Sequence, residues 1–185
     1  MESAFAWIGA IVQWFGQFIP RLTIVDTTQG WVKFVRGKNV RNGGPGLVWH
    51  WPLLTKIVVM ATVRDSIAPP TQTITLSSGE TVLVEAVIIY DIRDIEKLVA
   101  HTAEPFNTIA DVATGAVHSV VEMVESYEAL VKMGARQARR QNSDLNYKLI
   151  AEMREALEPY GVNVLDVFLQ NKAKARVLRL VNSQN

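Results

Sequence analysis

The chain has no cysteine, only three histidines and almost no net charge, and each shortage closes a class of function. Without cysteine, its 185 residues can form no disulfide, thiolate metal site, cysteine nucleophile or S-palmitoyl anchor, which fits a reducing compartment. His50, His101 and His118 are too few and too scattered to make a metal cluster. Nineteen basic residues against eighteen acidic ones leave a net charge of +1, so no overall field draws the chain to nucleic acid and no nucleic-acid partner is expected. Catalytic motifs are missing too. Gly43-Gly44-Pro45-Gly46 lacks the Gly-Lys-Ser/Thr of a phosphate loop, and Leu-Val-Trp follows it where a capped helix should begin. No catalytic residue, metal or cofactor is expected, and the chain is read as not an enzyme. There is no internal repeat and no low-complexity tract.

What is present is grease in two places. From Ser3 to Ile19 there is no charge, and Phe5, Trp7, Ile8, Ile11, Val12, Trp14, Phe15, Phe18 and Ile19 dominate. As a helix this run would span about 25 Å at about 1.5 Å per residue, just short of the bilayer core. It lacks the basic leader and small-residue cleavage site of a signal peptide, and the Lys-rich face of a surface helix. A spanning, re-entrant or interfacial membrane anchor is expected over residues 1–20, the alternative being a buried helix of the core or of an oligomer contact. Arg21, Lys33, Arg36 and Lys38 follow, which by the positive-inside tendency keeps the rest on the cytoplasmic side of the inner (plasma) membrane.

The second place is Gly43-Gly44-Pro45-Gly46-Leu47-Val48-Trp49-His50-Trp51-Pro52, a turn-rich stretch that runs directly into two tryptophans. Loop backbone is normally exposed and polar. Leu47, Trp49 and Trp51 therefore either pack under a sheet or enter an apolar medium, and an indole suits the membrane interface, with its ring in grease and its N–H near water. Leu47 to Pro52 is expected to touch the same leaflet as the anchor.

Between residues 21 and 93 the pattern is that of strands. Leu22 to Thr27 and Trp31 to Arg36 read as a hairpin across Thr28-Gln29-Gly30, and Gly37 to Gly46 as a polar, basic loop. Ile57 to Arg64 and Thr71 to Leu76 alternate. Thr81 to Arg93 is the longest strand, with Val82, Val84, Ala86, Ile88, Tyr90 and Ile92 on one face. The rest is mostly helical. Asp94 caps a helix from Ile95 to Thr102, and Pro105 opens another that runs to about Met123. A short segment spans Tyr127 to Met133, and a helix with stripe Leu145, Leu149, Ile150, Met153 and Leu157 ends at Pro159-Tyr160-Gly161. Val162 to Leu169 reads as a last strand alternating Val162/Val164/Asp166/Phe168 against Asn163/Leu165/Val167/Leu169. Residues 171–185 read as a short basic tail, helical if structured. The fold class is α+β.

Three polar groupings invite functional readings. His118 and Glu122 share a helix face, a solvated pair rather than a metal site. Asp91, Arg93, Asp94 and Glu96 sit at a strand-to-helix junction, where such residues cap and solvate. Arg136, Arg139 and Arg140 could contact lipid headgroups or a neighbouring subunit, with a solvated helix end as the plain alternative.

Residues from about Thr23 to Leu169 carry an ordered set of motifs. Gly30 and Val32 come first, then Gly44-Pro45-Gly46-Leu47 with Trp49 and Pro52, then Arg64. The strand Val82 to Ile92 follows, and the helix Leu145 to Leu157 leads into Gly161-Val162 and Val164. In this the chain resembles the SPFH (band 7) domain of stomatins, prohibitins, flotillins and the bacterial regulators of a membrane-bound AAA protease. The resemblance implies an SPFH-like domain over residues 21–170, with a mainly antiparallel sheet and packed helices behind an N-terminal hydrophobic membrane helix. It implies a non-enzymatic scaffold on the lipid bilayer, self-associating as a homo-oligomer or ring or with a longer relative. The alternative is an adaptor that regulates a membrane protease or channel. Where many relatives have Thr-Lys-Asp-Gly before the long strand, Leu76-Ser77-Ser78-Gly79-Glu80 stands here. Relatives also carry a long coiled coil after the last strand, so the resemblance is to a short form, which argues against a large closed cage and leaves a smaller ring or co-assembly with a longer relative.

Overall fold

The computed structural model describes residues 14, 16, 18–37, 39–135 and 144–175. The helices expected between residues 95 and 157 lie where periodicity and caps put them. Helix α1 (Ile95–His101) opens beneath Asp94, whose Oδ1 accepts from the Lys97 N–H at 3.2 Å. Helix α2 (Pro105–Glu122) begins on its proline, and α3 (Tyr127–Ala135) and α4 (Asp144–Leu157) follow. A 3-10 turn, Glu158–Tyr160, ends at Gly161, which takes the left-handed conformation (φ 72°) and donates its N–H to the Glu158 carbonyl.

The chain divides into two compact units, Met1–Val63 with Ile92–Lys97, and Arg64–Asp91 with Leu98–Asn185. The first holds two small antiparallel sheets. Strand β2 (Gln29–Val35) lies between β3 (Asn39–Gly43) and β5 (Thr55–Ala61), and β1 (Arg21–Val25) pairs with β4 (Gly46–His50). This corrects two expectations. β1 and β2 do not form a hairpin: β1 pairs with a strand more than twenty residues away. The loop expected over Gly37 to Gly46 is largely β3, recruited by pairing with β2 despite its polar sequence, and Gly44-Pro45 alone separates it from β4.

Glycine makes the β2 ladder possible. A Cβ at Gly30 would lie 2.6 Å from Ile95 Cδ1 and 3.0 Å from Thr62 Cγ2. A Cβ at Gly43 would run into the ring of Trp31, its cross-strand partner, at 2.7 Å.

The second unit is built on β8 (Thr81–Ile92). β6 (Asp65–Ile67) and β7 (Gln72–Thr75) pair antiparallel with its two halves, and β9 (Val162–Lys174) pairs with it as well. Val82, Val84, Ala86, Ile88 and Tyr90 are buried on one face, as the alternation predicts. Ile109, Ala113, Val117 and Val121 of α2 and Leu149, Met153 and Leu157 of α4 join the core. The last strand departs from simple alternation: Val162 and Val164 are buried, then Val167 and Leu169, while Phe168 is exposed. A one-residue slip between Val164 and Val167, where Asp166 Oδ1 accepts from the Val167 N–H, is the behaviour of a β-bulge. Strand also continues to Lys174, in place of the expected start of a helical tail; residues 176–185 lie outside the described residues.

Candidate membrane-contact face

Two neighbouring strands with the same alternation put their apolar residues on one outward face. In the β1–β4 register, Leu22 stands opposite Trp49 and Ile24 opposite Leu47, and these four side chains are 55%, 56%, 76% and 66% exposed. The intervening residues turn inward: Val25 and Val48 are buried, and Thr23 Oγ1 and His50 Nδ1 are 3.4 Å apart. Because side chains alternate along a strand, the outward row of β4 continues to Trp51, and the turn beyond it exposes Leu53. Monomeric soluble proteins seldom leave so many large apolar side chains together in water.

The face is held from behind by hydrogen bonds rather than by its own packing. Lys33 Nζ donates to the Trp49 carbonyl at 2.8 Å. The Trp51 carbonyl accepts from the N–H groups of Leu54 and Thr55 and from Thr55 Oγ1 at 2.7 Å, closing the turn through Pro52. The Arg36 N–H donates to the Leu54 carbonyl at 2.9 Å, tying that turn to the end of β2. The backbone here is tied by hydrogen bonds, while both indoles are exposed.

Leu47, Trp49 and Trp51 thus lie exposed together. Trp14 and Phe18 are exposed too, their rings edge to face at 5.0 Å. Phe5, Trp7, Ile8, Ile11 and Phe15 lie outside the described residues, as do Arg136, Arg139 and Arg140. Most of the expected anchor helix is therefore outside them, and among the described residues no helix is long and apolar enough to cross a membrane. Sequence reasoning missed Leu22, Ile24 and Leu53. Both parities of Leu22 to Val25 are apolar or small, so only the pairing with β4 reveals which pair faces out.

The polar groupings resolve into structural contacts. Asp91 accepts from Asn163 Nδ2 at 2.9 Å, and Glu96 from Asn42 Nδ2 at 3.0 Å. His118 and Glu122 form a 3.7 Å pair on the exposed side of α2. Glu80 bridges two elements: it accepts from the Tyr127 N–H at the start of α3 and from Lys174 Nζ at the end of β9. The lysine's hydrogen bond, with that of the Tyr127 N–H behind it, holds the Glu80 carboxyl below the usual carboxylate range. Burial lowers the Lys172 ammonium and raises the Tyr90 hydroxyl, the latter with a smaller contribution from Asp65, its cross-strand neighbour. Among the described residues no cluster of three or more His, Asp or Glu could hold a metal.

Comparison with known proteins decides the family. The model of the SPFH domain / Band 7 family matches residues 23–173, most of the chain. The chain belongs to the SPFH family. It is also 26% identical over 165 residues to a protein of Archaeoglobus fulgidus described as uncharacterized, a match covering 89% of this chain and 63% of that one. The chain thus spans under two thirds of that curated relative's length. SPFH proteins are generally membrane-associated, non-enzymatic scaffolds, and the antiparallel sheets with packed helices fit the family's α+β fold.

Proposed function

We propose that this SPFH protein is a scaffold of the cytoplasmic side of the inner (plasma) membrane. It is held there by residues 1–20 and by the outward face of β1 and β4, and it self-assembles to organise membrane regions or membrane proteins. The observation that supports this most is the apolar row Leu22, Ile24, Leu47, Trp49 and Trp51. Covering one such side chain is worth about 1.5–3 kcal/mol, so several entering a bilayer interface together make a strong attachment. The row also begins close in sequence to the chain's other apolar segment: Arg21, two residues after the run from Ser3 to Ile19 ends, pairs with His50, next to Trp51. Two shallow insertions on one body act with high effective concentration and reinforce each other.

Flotation with phospholipid vesicles tests the attachment. Trp49→Ser with Trp51→Ser should reduce vesicle binding while leaving the thermal transition in place. Loss of the transition, or undiminished binding, would overturn the assignment of this face. Mass measurement in detergent tests self-assembly: a species of many subunits is expected, and a monomer rules that part out.

A further inference from the structure

Charge is distributed unevenly along the chain. Residues 21–63 hold six cations, Arg21, Lys33, Arg36, Lys38, Arg41 and Lys56, and one acid, Asp26. Residues 64–185 hold thirteen basic residues and sixteen acidic ones. The near-zero total therefore hides a basic segment, and that segment carries the apolar face.

Of these cations, Arg21, Lys33, Arg36, Arg41 and Lys56 lie on the strands and turns of the unit that carries that face. Arg21, the first residue of β1 and cross-strand partner of His50, has the opposite parity to Leu22 and Ile24, and its long exposed side chain stands at the edge of the row. Lys33 touches the Trp49 carbonyl and lies directly opposite Arg41 on β3. Like charges opposed across a sheet repel, and an anion placed before both relieves that repulsion. Arg36 is bonded through its backbone to Leu54, and Lys56 follows Thr55, which closes the Trp51 turn. Arg21, Arg36, Arg41 and Lys56 are exposed, and among the described residues none is ion-paired. Asp26 lies past the opposite end of β1 from Arg21.

We propose that this face is a site for anionic phospholipid, in which Leu22, Ile24, Leu47, Trp49 and Trp51 enter the interface while Arg21, Arg36, Arg41 and Lys56 meet acidic headgroups around them. The proposal rests on the membrane reading above and adds the lipid class. Apolar insertion alone does not distinguish a zwitterionic from an anionic surface. Cations near the surface do, each multiplying affinity about fivefold at a strongly anionic membrane.

The test measures binding of the full chain, diluted from detergent, to vesicles of phosphatidylcholine alone and of phosphatidylcholine with phosphatidylglycerol. Binding to the anionic vesicles should be at least about tenfold tighter, and the excess should vanish between about 0.1 M and about 1 M salt as the screening length falls from about 10 to about 3 Å. Arg21→Gln with Arg41→Gln should remove about 25-fold of affinity for strongly anionic vesicles and none for phosphatidylcholine, which also verifies that the variant is folded. Lys132→Gln with Lys148→Gln, removing equal charge elsewhere, should keep the preference. Equal binding of the wild type to both vesicles overturns the anionic site and leaves membrane attachment standing. An equal loss in both double variants overturns it as well, since net charge alone would then account for the effect. Binding to neither vesicle instead overturns the membrane reading itself.

Discussion

Leu22 and Trp49 are cross-strand partners whose side chains both stand in solvent. Such a pair contributes about 0.2–1 kcal/mol to its sheet, less than either side chain would gain by leaving water. The fold has therefore ordered an apolar surface without using it.

That separation of order from burial makes Ile24 a clean probe. Ile24→Asp should lower unfolding free energy by about 1 kcal/mol, the scale of an exposed cross-strand pair and of strand propensity. It should weaken vesicle binding at least about tenfold, since a charge replaces an apolar group worth about 1.5–3 kcal/mol on burial. Chemical denaturation and flotation on one preparation give both numbers.

Gly30→Val tests the close approach of β2 to Ile95. The added branch would collide with Ile95 Cδ1 and Thr62 Cγ2, of which Ile95 is buried. A loss of about 1–3 kcal/mol is expected in denaturant unfolding, the range for overpacking. A neutral result would mean that this contact yields easily.

Leu149 is fully buried on α4. Leu149→Ala should cost about 2–5 kcal/mol, removing transfer energy and leaving a cavity. The neighbouring Lys148→Gln, on the exposed side, should be close to neutral by the same measurement.

Glu80 predicts a pH dependence. Its carboxyl sits below the ordinary value of 4.5 because Lys174 and the Tyr127 N–H bond its charged form. The folded state therefore holds this proton less tightly than the unfolded chain. The resulting stabilisation is complete above about pH 4.5 and is lost as pH falls through the lowered folded-state value. Glu80→Gln should be less stable at pH 7, and its deficit against wild type should shrink below pH 4. A constant deficit would show that the charge plays no part.

The parts of this fold legible in sequence are those with local causes. β8 announces itself by twelve residues of unbroken alternation, α1 by the cap at Asp94, and α4 by its stripe and by Gly161. β3 was illegible because Asn39 to Gly43 is polar and forms strand only by pairing with β2. The change of phase in β9 was not legible because Val162 and Val164 mark one phase as apolar and Val167 and Leu169 mark the other. At the candidate site, Trp49 and Trp51 stood out by residue type. Leu22 and Ile24 did not, because their exposure depends on a partner strand more than twenty residues away.

The pairing of β1 with β4 also fixes how the molecule carries load. Tension applied at Arg21 along β1 meets five residue pairs side by side and must shear them together. Tension applied across the strand meets them one at a time, starting at Arg21 and His50. A pull in line with β1 is resisted as by a lap joint, and a pull across it opens the ladder like a zip.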